Sequence, residues 1–486
     1  MIDATGSAID AEPGRASVMR NASVLAVATV VARVSMFGFG IVLARALGAD
    51  SYGRYALALA LGVVLQPIAD AGITPYLSRE IARAREETER ALPILLAAKL
   101  ALLVATFALT VLVAALVIDD DSLVTVIAAV VLATLVDGFS MFVYGYFQGR
   151  EAMGFEARAT TLAAIVRALG GIALALAFDD LGPVVAWILG IALIQAVVAA
   201  RRLARVASPG RSLWRRHGAG RVHWHSVLSM GLMAIFVMTY LRLDSVLIGW
   251  LRDERAVGLY AAAYTLMLGA QILPTMAATA LTPVFARTHA RDPDVFESAW
   301  HSGIRLVLLI SLPIALATTL LAGPVIDRLY GAEFERSADV LALVIWICPL
   351  GSLSLIAQAA LRGARRETWL TAVSGACAAL NVGLNLWAIS RYGIMGAAVV
   401  TVVTELLNAL ALVGLCLRDG IVPVPRFPVV RVALAGVALA AVAIALGSAP
   451  VEIAGLASAC AYVAVLAATR VAGRGDLRAL RDGLRR

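Results

Sequence analysis

The chain has 486 residues, of which 61% are hydrophobic and 15% are charged, and its mean hydropathy is +0.87. Soluble domains are about 45–50% apolar and about 25% charged, so this composition excludes a soluble globular protein and indicates a polytopic membrane protein. The net charge of +8 and the pI of about 9.6 are explained by cationic loops beside a membrane, and we infer no nucleic-acid binding from them.

Apolar runs of about 20 residues follow one another along almost the whole chain, which is the length that a helix needs to cross roughly 30 Å of hydrocarbon. Lipid leaves no water for unpaired backbone groups, so these runs predict helices and an all-α membrane fold. In chain order, about 14 spans are predicted at residues 22–44, 53–78, 92–117, 122–147, 158–178, 182–200, 226–250, 257–284, 303–323, 340–361, 369–389, 393–417, 428–446 and 451–470. At Gly323-Pro324 and at Pro349 the chain either kinks or ends a span.

The cationic loops predict the orientation. With a cytoplasmic N-terminus, about 30 basic residues fall on the inner side and about 7 on the outer side, a bias that places both termini in the cytoplasm. The first apolar run is too long for a signal peptide and lacks a small-residue cleavage pattern, so we expect the N-terminus to be retained. The four cysteines lie inside predicted spans, which indicates core residues and neither disulfides nor a metal site. We expect no cofactor.

An internal repeat divides the chain into two halves. A shift of 205 residues aligns the second predicted span with the eighth, so that Gly53 matches Gly258, Tyr55 matches Tyr260 and Gln66 matches Gln271. Six helices is an even number, so the halves have the same orientation, as in parallel-repeat transporters. The predicted domains are an N-terminal tail (1–21), an N-terminal lobe (22–200), a basic cytoplasmic linker (201–225), a C-terminal lobe (226–417), two further helices (428–470) and a basic tail (471–486).

Several stretches resemble a known family. They are "ARALGADSYGRYALA", "FQGREAM", "LDSVLIGWLRDERAVGLYAAAYTL", "LYGAEFERSADVLALVIW" and "NLWAISRYGIMGAAVVTVVTELL". Their order and spacing are similar to those of the bacterial lipid-linked oligosaccharide flippases of the multidrug/oligosaccharidyl-lipid/polysaccharide flippase superfamily. The resemblance implies two helical lobes around a central cavity that opens alternately to each side of the cytoplasmic membrane. It also implies transfer of a polyprenyl-diphosphate-linked oligosaccharide to the outer leaflet for polysaccharide biosynthesis, among membrane lipids and beside glycan polymerases or glycosyltransferases.

Charges at mid-membrane cost roughly 2.5–3.5 kcal/mol each and tend to face a bundle interior or a wet cavity. The candidates are Arg33, Asp70, Asp137, Arg167, Arg242, Asp244 and Glu405. We expect Lys99 and Arg305 to snorkel toward a nearby cytoplasmic end. Arg242 and Asp244 are two residues apart and point roughly 200° away from each other on a helix, so each needs a partner of its own. For Arg242 this partner is either a carboxylate of another helix or an anionic ligand.

Arg33 and Arg242 stand at similar depths on the first and seventh spans, which are counterparts in the repeat. Two guanidinium groups at one cavity would bind a diphosphate in a bidentate manner. Gln66, Gln271 and Asn385 belong to polar stripes that extend this candidate substrate site, although such stripes also join helices by hydrogen bonds. The candidate sites for a coupling H⁺ or Na⁺ are Asp70, Asp137, Asp244 and Glu405. These carboxylates are alternatively permanent partners of the intramembrane arginines.

Three other functions remain open. A polysaccharide polymerase or ligase would display a large outer loop with catalytic residues, but the predicted outer loops are short and all five histidines fall on the predicted cytoplasmic side. We therefore predict no enzyme. A cation-coupled drug antiporter of the same superfamily would use the carboxylates, whereas the cationic pair favours an anionic substrate. A membrane scaffold would leave the polar stripes unexplained.

Overall fold

The computed structural model describes residues 15–207, 222–289, 292–425, 427–447 and 449–469, and these residues form helices and turns with no β-strand among them. The all-α prediction is confirmed. The first half contains α1 (Arg15–Asp70), α2 (Ile73–Arg83), α3 (Arg85–Val117), α4 (Asp121–Gly149), α5 (Gly154–Ala177) and α6 (Leu181–Ala207). The second half contains α7 (Trp224–Leu251), α8 (Glu254–Ala270), α9 (Ile272–Thr288), α10 (Pro293–Leu320), α11 (Ala322–Leu329), a 3₁₀ helix (Ala332–Phe334), α12 (Ser337–Val344), α13 (Ile347–Gly363), α14 (Glu367–Arg418), α15 (Val429–Ala445) and α16 (Val451–Ala468).

Nine helical segments of the described residues are long and apolar enough to cross a membrane, and α8 with α9, bent by 42°, forms a tenth. Two of the nine extend over two predicted spans each: α1 continues past a break at Gly48 into most of the second span, and α14 continues past a break at Gly393. The φ angles there are 75° and 62°, in the left-handed region that glycine adopts without strain. Each predicted span therefore overlaps a helix of the described chain.

The structure ends a span at Gly323-Pro324 but not at Pro349. α10 ends at Leu320 and α11 begins at Ala322, so the span ends just before Gly323-Pro324. Pro349 lies in the first turn of α13, where its missing N–H breaks no helical hydrogen bond. The predicted linker and the two tails lie largely outside the described residues.

Helix packing places α1 at the centre of the molecule. It packs against α4 and α5 of its own half and against α7 and α8 of the second half. In the second half, α14 packs against α7 and α13, while α15 and α16 pair with each other and lie on α10. The halves thus meet chiefly along α1, α7 and α8.

The aligned glycines of the repeat meet at this contact. A Cβ atom on Gly53 would lie 1.8 Å from the carbonyl oxygen of Glu254, and one on Gly258 would lie 2.1 Å from that of Ala49. Backbone atoms cannot yield to a side chain, so only glycine permits α1 and α8 to approach this closely. The residues that the repeat makes equivalent are in mutual contact.

Candidate substrate cavity

A cavity lies between the two halves, directly beside the glycine contact. The second part of α1 supplies Tyr52 and Tyr55, α7 supplies Arg242 and Ser245, and α8 supplies Tyr264 and Thr265. Small and aliphatic side chains complete the lining. The cavity is small, about 60 Å³, which is below the range of about 300–1,000 Å³ typical of small-molecule sites.

Arg242 carries the positive charge of the cavity. Its guanidinium carbon lies over the ring of Tyr264, 5.4 Å from the ring centroid, in cation–π geometry. Within the part of the chain that the structure describes, Arg242 forms no ion pair with a carboxylate. An aromatic face orients a guanidinium without neutralising it, so the charge of Arg242 is available to an anion in the cavity.

Asp244 makes different contacts from Arg242, as their helical spacing predicts. Its buried carboxylate accepts hydrogen bonds from the Tyr260 hydroxyl and from the backbone N–H of Ser245, at 2.5 Å and 2.7 Å. The Tyr260 ring stacks on that of Tyr264, with centroids 5.8 Å apart. The two stacked tyrosines of α8 therefore contact both charges, Tyr264 the guanidinium and Tyr260 the carboxylate.

Arg33, the proposed second member of the cation pair, is exposed on the first part of α1. It does not belong to the lining of the cavity that contains Arg242. Phe37 lies one turn further along α1 and packs against Gly269 of α8. A Cβ atom added to Gly269 would lie only 2.5 Å from the Phe37 ring. Arg33 thus lies on the helix that crosses α8, but the described cavity contains only one of the two arginines.

Gln66 and Gln271 have corresponding environments in the two halves. The Gln66 amide lies 3.3 Å from the position of a Cβ atom on Gly138 of α4, and the Gln271 amide lies 3.0 Å from the corresponding position on Gly351 of α13. Gln271 also donates to the carbonyl oxygen of Ile347, at 3.3 Å. Neither glutamine lines the cavity around Arg242.

Asn385 belongs to a buried polar chain between two parts of α14. Its Nδ2 donates to Asn381 Oδ1, and Asn381 Nδ2 donates to the hydroxyl of Thr404, both at 3.0 Å. The Oδ1 atom of Asn385 is buried and accepts no hydrogen bond from the described residues. A buried acceptor without a donor is a rare feature of folded proteins.

Two of the candidate coupling carboxylates are held in ion pairs. Asp137 accepts two hydrogen bonds from Arg167, at 2.8 Å and 3.0 Å. Asp70 binds Lys99 Nζ at 2.6 Å and also accepts from the backbone N–H of Thr74. The expectation that Lys99 snorkels is wrong, because its side chain is only 1% exposed. The carboxylate of Asp70 at the break between α1 and α2 draws it into the bundle.

The fourth carboxylate, Glu405, is buried against α13. It accepts from the hydroxyl of Ser354 at 2.7 Å, and Asn408 contacts both side chains. Its Oε1 lies 3.7 Å from the position of a Cβ atom on Gly351, beside Gln271. Glu405 therefore lies close to the bend between α8 and α9.

The search for charged residues within the predicted spans did not identify the aromatic residues of the cavity. Tyr52, Tyr55 and Tyr264 line the same cavity as Arg242, and the hydroxyl of Tyr52 pairs with that of Thr265 at 3.2 Å. The repeat contained a partial signal, since Tyr55 and Tyr260 are aligned in it. Among the described residues, no group of three or more His, Cys, Asp or Glu side chains is placed to hold a metal ion.

Comparisons with known proteins define the class. The chain is similar to the structure "Lipid II flippase MurJ, inward closed conformation", with a TM-score of 0.71 and 13% identity over 91% of this chain and 97% of that one. It is also similar to an inward-facing multidrug resistance MATE family transporter of the MOP superfamily, with a TM-score of 0.61 and 17% identity over 80% and 94% of the two chains. A MOP superfamily transporter from Pyrococcus furiosus gives a TM-score of 0.53 and 17% identity over 83% and 95%. No curated protein sequence matches.

The chain thus shares its all-α fold with multi-pass membrane transporters and flippases of the MOP superfamily. A family model described as "Polysaccharide biosynthesis protein" matches residues 18–289, more than half of the chain, and the MatE model matches residues 230–387. The chain belongs to the polysaccharide biosynthesis protein family. The family resemblance predicted from the sequence motifs is thereby confirmed.

Proposed function

We propose that the protein translocates a polyprenyl-diphosphate-linked oligosaccharide from the cytoplasmic to the outer leaflet of the cytoplasmic membrane, for cell-surface polysaccharide biosynthesis. One observation carries the proposal: Arg242 lies in a cavity between the two halves with its charge unpaired by any carboxylate of the described chain. A diphosphate cannot cross hydrocarbon unaided, and a planar guanidinium binds its oxygens in a bidentate manner. Family membership supports the polysaccharide context.

The proposal is tested by deleting the gene and identifying the lipid-linked glycan that accumulates in the cytoplasmic leaflet. Complementation with the wild-type gene should restore export, and the Arg242→Ala variant should not. Arg391→Ala is a matched control, because Arg391 is an exposed arginine outside the cavity. Normal export by Arg242→Ala, or equal loss with both variants, would refute the role of Arg242. The absence of any accumulating lipid-linked glycan would refute the substrate class.

For energy coupling we propose Asp244 in preference to Asp70 and Asp137. The latter two are neutralised by Lys99 and Arg167, whereas Asp244 forms no ion pair within the described residues. A buried carboxylate with only neutral hydrogen-bond donors is suited to bind H⁺ or Na⁺ in one state and to release it in another. Glu405 is a second candidate, near the bend between α8 and α9.

The same carboxylate favours one alternative function, a cation-coupled drug or small-molecule antiporter. Uptake of a lipid diphosphate and of cationic drugs into proteoliposomes, measured with and without H⁺ and Na⁺ gradients, distinguishes the two functions. A flippase should transport the diphosphate and lose gradient dependence in Asp244→Asn. Transport of the cationic drug alone would support the antiporter.

A further inference from the structure

We propose that Asp50, Arg255 and Glu333 form a latch that holds the two halves together at one end of the cavity. Arg255 Nη1 binds Asp50 Oδ2 at 2.8 Å and Glu333 Oε1 at 3.0 Å, so one nitrogen bridges two carboxylates. Asp50 belongs to the first half of the chain, while Arg255 and Glu333 belong to the second. The contact between Asp50 and Arg255 would break if the halves separated here, whereas the contact between Arg255 and Glu333 lies within the second half.

The repeat brings the latch residues together. Asp50 and Arg255 are 205 residues apart, the repeat shift, and they lie in the first turns of equivalent helical segments. Those segments cross at Gly53 and Gly258, where the backbones are in contact. The crossing therefore positions two repeat-related side chains opposite each other, and the second half supplies Glu333 as an additional acid.

Glu333 also binds the break in α1. Its Oε1 accepts a hydrogen bond from the backbone N–H of Ala49 at 3.0 Å, which satisfies a free donor where the helix restarts. A Cβ atom on Gly48 would lie 2.9 Å from Glu333 Oε2, so the glycine makes room for the carboxylate as well as for the left-handed turn. The loop between α11 and α12 is thus tied directly to the turn between the first two predicted spans.

The position of the latch gives it a consequence for access to the cavity. Tyr52 follows Asp50 within the same turn of α1, and Tyr264 lies about two turns beyond Gly258 on α8. Both tyrosines line the cavity, so the latch closes its end on the side that the charge distribution predicts to be extracytoplasmic. The latch side chains are 46%, 65% and 40% exposed for Arg255, Asp50 and Glu333, which makes the pairs weak enough to break and reform during transport.

The test measures access to the cavity from the face that carries Asp50. A cysteine introduced by Ala56→Cys, on the cavity wall, is labelled with a membrane-impermeant maleimide in a Cys460→Ser background. The other three native cysteines are buried. An exposed ion pair favours the closed state by a factor of about 1.4 to 5, so Arg255→Gln, which removes the pair with Asp50 that joins the halves, should raise the labelling rate by a factor of about 1.4 to 5. The Ala56→Cys, Cys460→Ser protein with Arg255 intact should respond in the same direction in about 1 M KCl, because the Debye length falls to about 3 Å.

Arg328→Gln is the matched control. It removes an ion pair on the same face, with Glu452 at 2.8 Å, but that pair joins α11 to α16 within the second half of the chain. Labelling in this variant should remain at the wild-type rate. The latch is refuted if Arg255→Gln and high salt leave labelling unchanged, if Arg328→Gln raises it equally, or if the new access appears from the opposite face. No substrate enters the assay, so its outcome is independent of the proposed transport function.

Discussion

Replacement of Arg242 by alanine should abolish glycan export while leaving the protein folded. The reason lies in what the side chain contacts. Removing a member of a buried ion pair strands its partner and costs about 3–5 kcal/mol, but Arg242 has no carboxylate partner in the described chain. The loss is limited to a cation–π contact with Tyr264, about 0.5–2 kcal/mol, together with the packing of the aliphatic stem.

Arg167 provides the internal standard for this magnitude. Its side chain is 14% exposed, and two hydrogen bonds hold it to Asp137. Arg167→Ala should therefore destabilise the protein toward the lower end of the 3–5 kcal/mol range, since the pair is not fully buried. The double variant Arg167→Ala, Asp137→Asn should recover part of this loss because no charge is left stranded.

The assay measures export and the melting temperature of detergent-solubilised protein side by side. Arg242→Ala should be inactive with a melting temperature well above that of Arg167→Ala, and Arg242→Lys should retain partial export because a lysine supplies charge without the bidentate fork. An Arg242→Ala protein as unstable as Arg167→Ala, and rescued by neutralising a carboxylate, would show that Arg242 is a structural residue. The reasoning from its unpaired charge would then be wrong.

Three further predictions address topology, the buried lysine and the aromatic wall. A reporter fused at Ser208 should read cytoplasmic and one at Asp120 extracytoplasmic, and an inverted pattern would refute the orientation derived from the basic loops. Lys99→Met should lower the melting temperature by stranding Asp70, and a second change, Asp70→Asn, should restore it in part; an unchanged melting temperature for the single variant would contradict the buried pair. Tyr264→Phe should keep export and Tyr264→Leu should reduce it, since only the latter removes the ring face over which the guanidinium lies.

Hydrophobic run length was sufficient to predict the helices, because hydrocarbon thickness and the demands of the peptide backbone leave few alternatives. It was insufficient to predict their bends. The breaks at Gly48 and Gly393 continue directly into the next helix, so the described structure joins spans that the apolar pattern separates. Gly72 at the bend between α1 and α2 has a φ of 87°, a conformation that a hydropathy pattern does not encode.

The repeat gave more information about the site than the charges did. It aligned Gly53 with Gly258 and Gln66 with Gln271, and the structure brings the first pair into contact and gives the second pair similar neighbours. A parallel repeat makes such correspondences geometric, because both halves pack with the same helical order. Arg33 and Arg242 were predicted to share a cavity because they lie at similar depths in the membrane. Depth alone does not specify which face of α1 the Arg33 side chain occupies.

We distinguish structural from functional charged residues in this protein by whether each charge has an ion-pair partner. Partners that come from distant helices cannot be identified from a single sequence. In the sequence, Lys99 lies near the end of a predicted span and Arg242 lies deep within one, so we expected Lys99 to reach the surface and Arg242 to lie inside the bundle. In the structure Lys99 is neutralised by Asp70, whereas Arg242 rests on an aromatic ring beside an open cavity. A charge kept in the membrane without a neutralising partner carries a desolvation cost that an anionic ligand would relieve. This difference, and not membrane depth, is the reason for which we propose Arg242 as a substrate-binding residue.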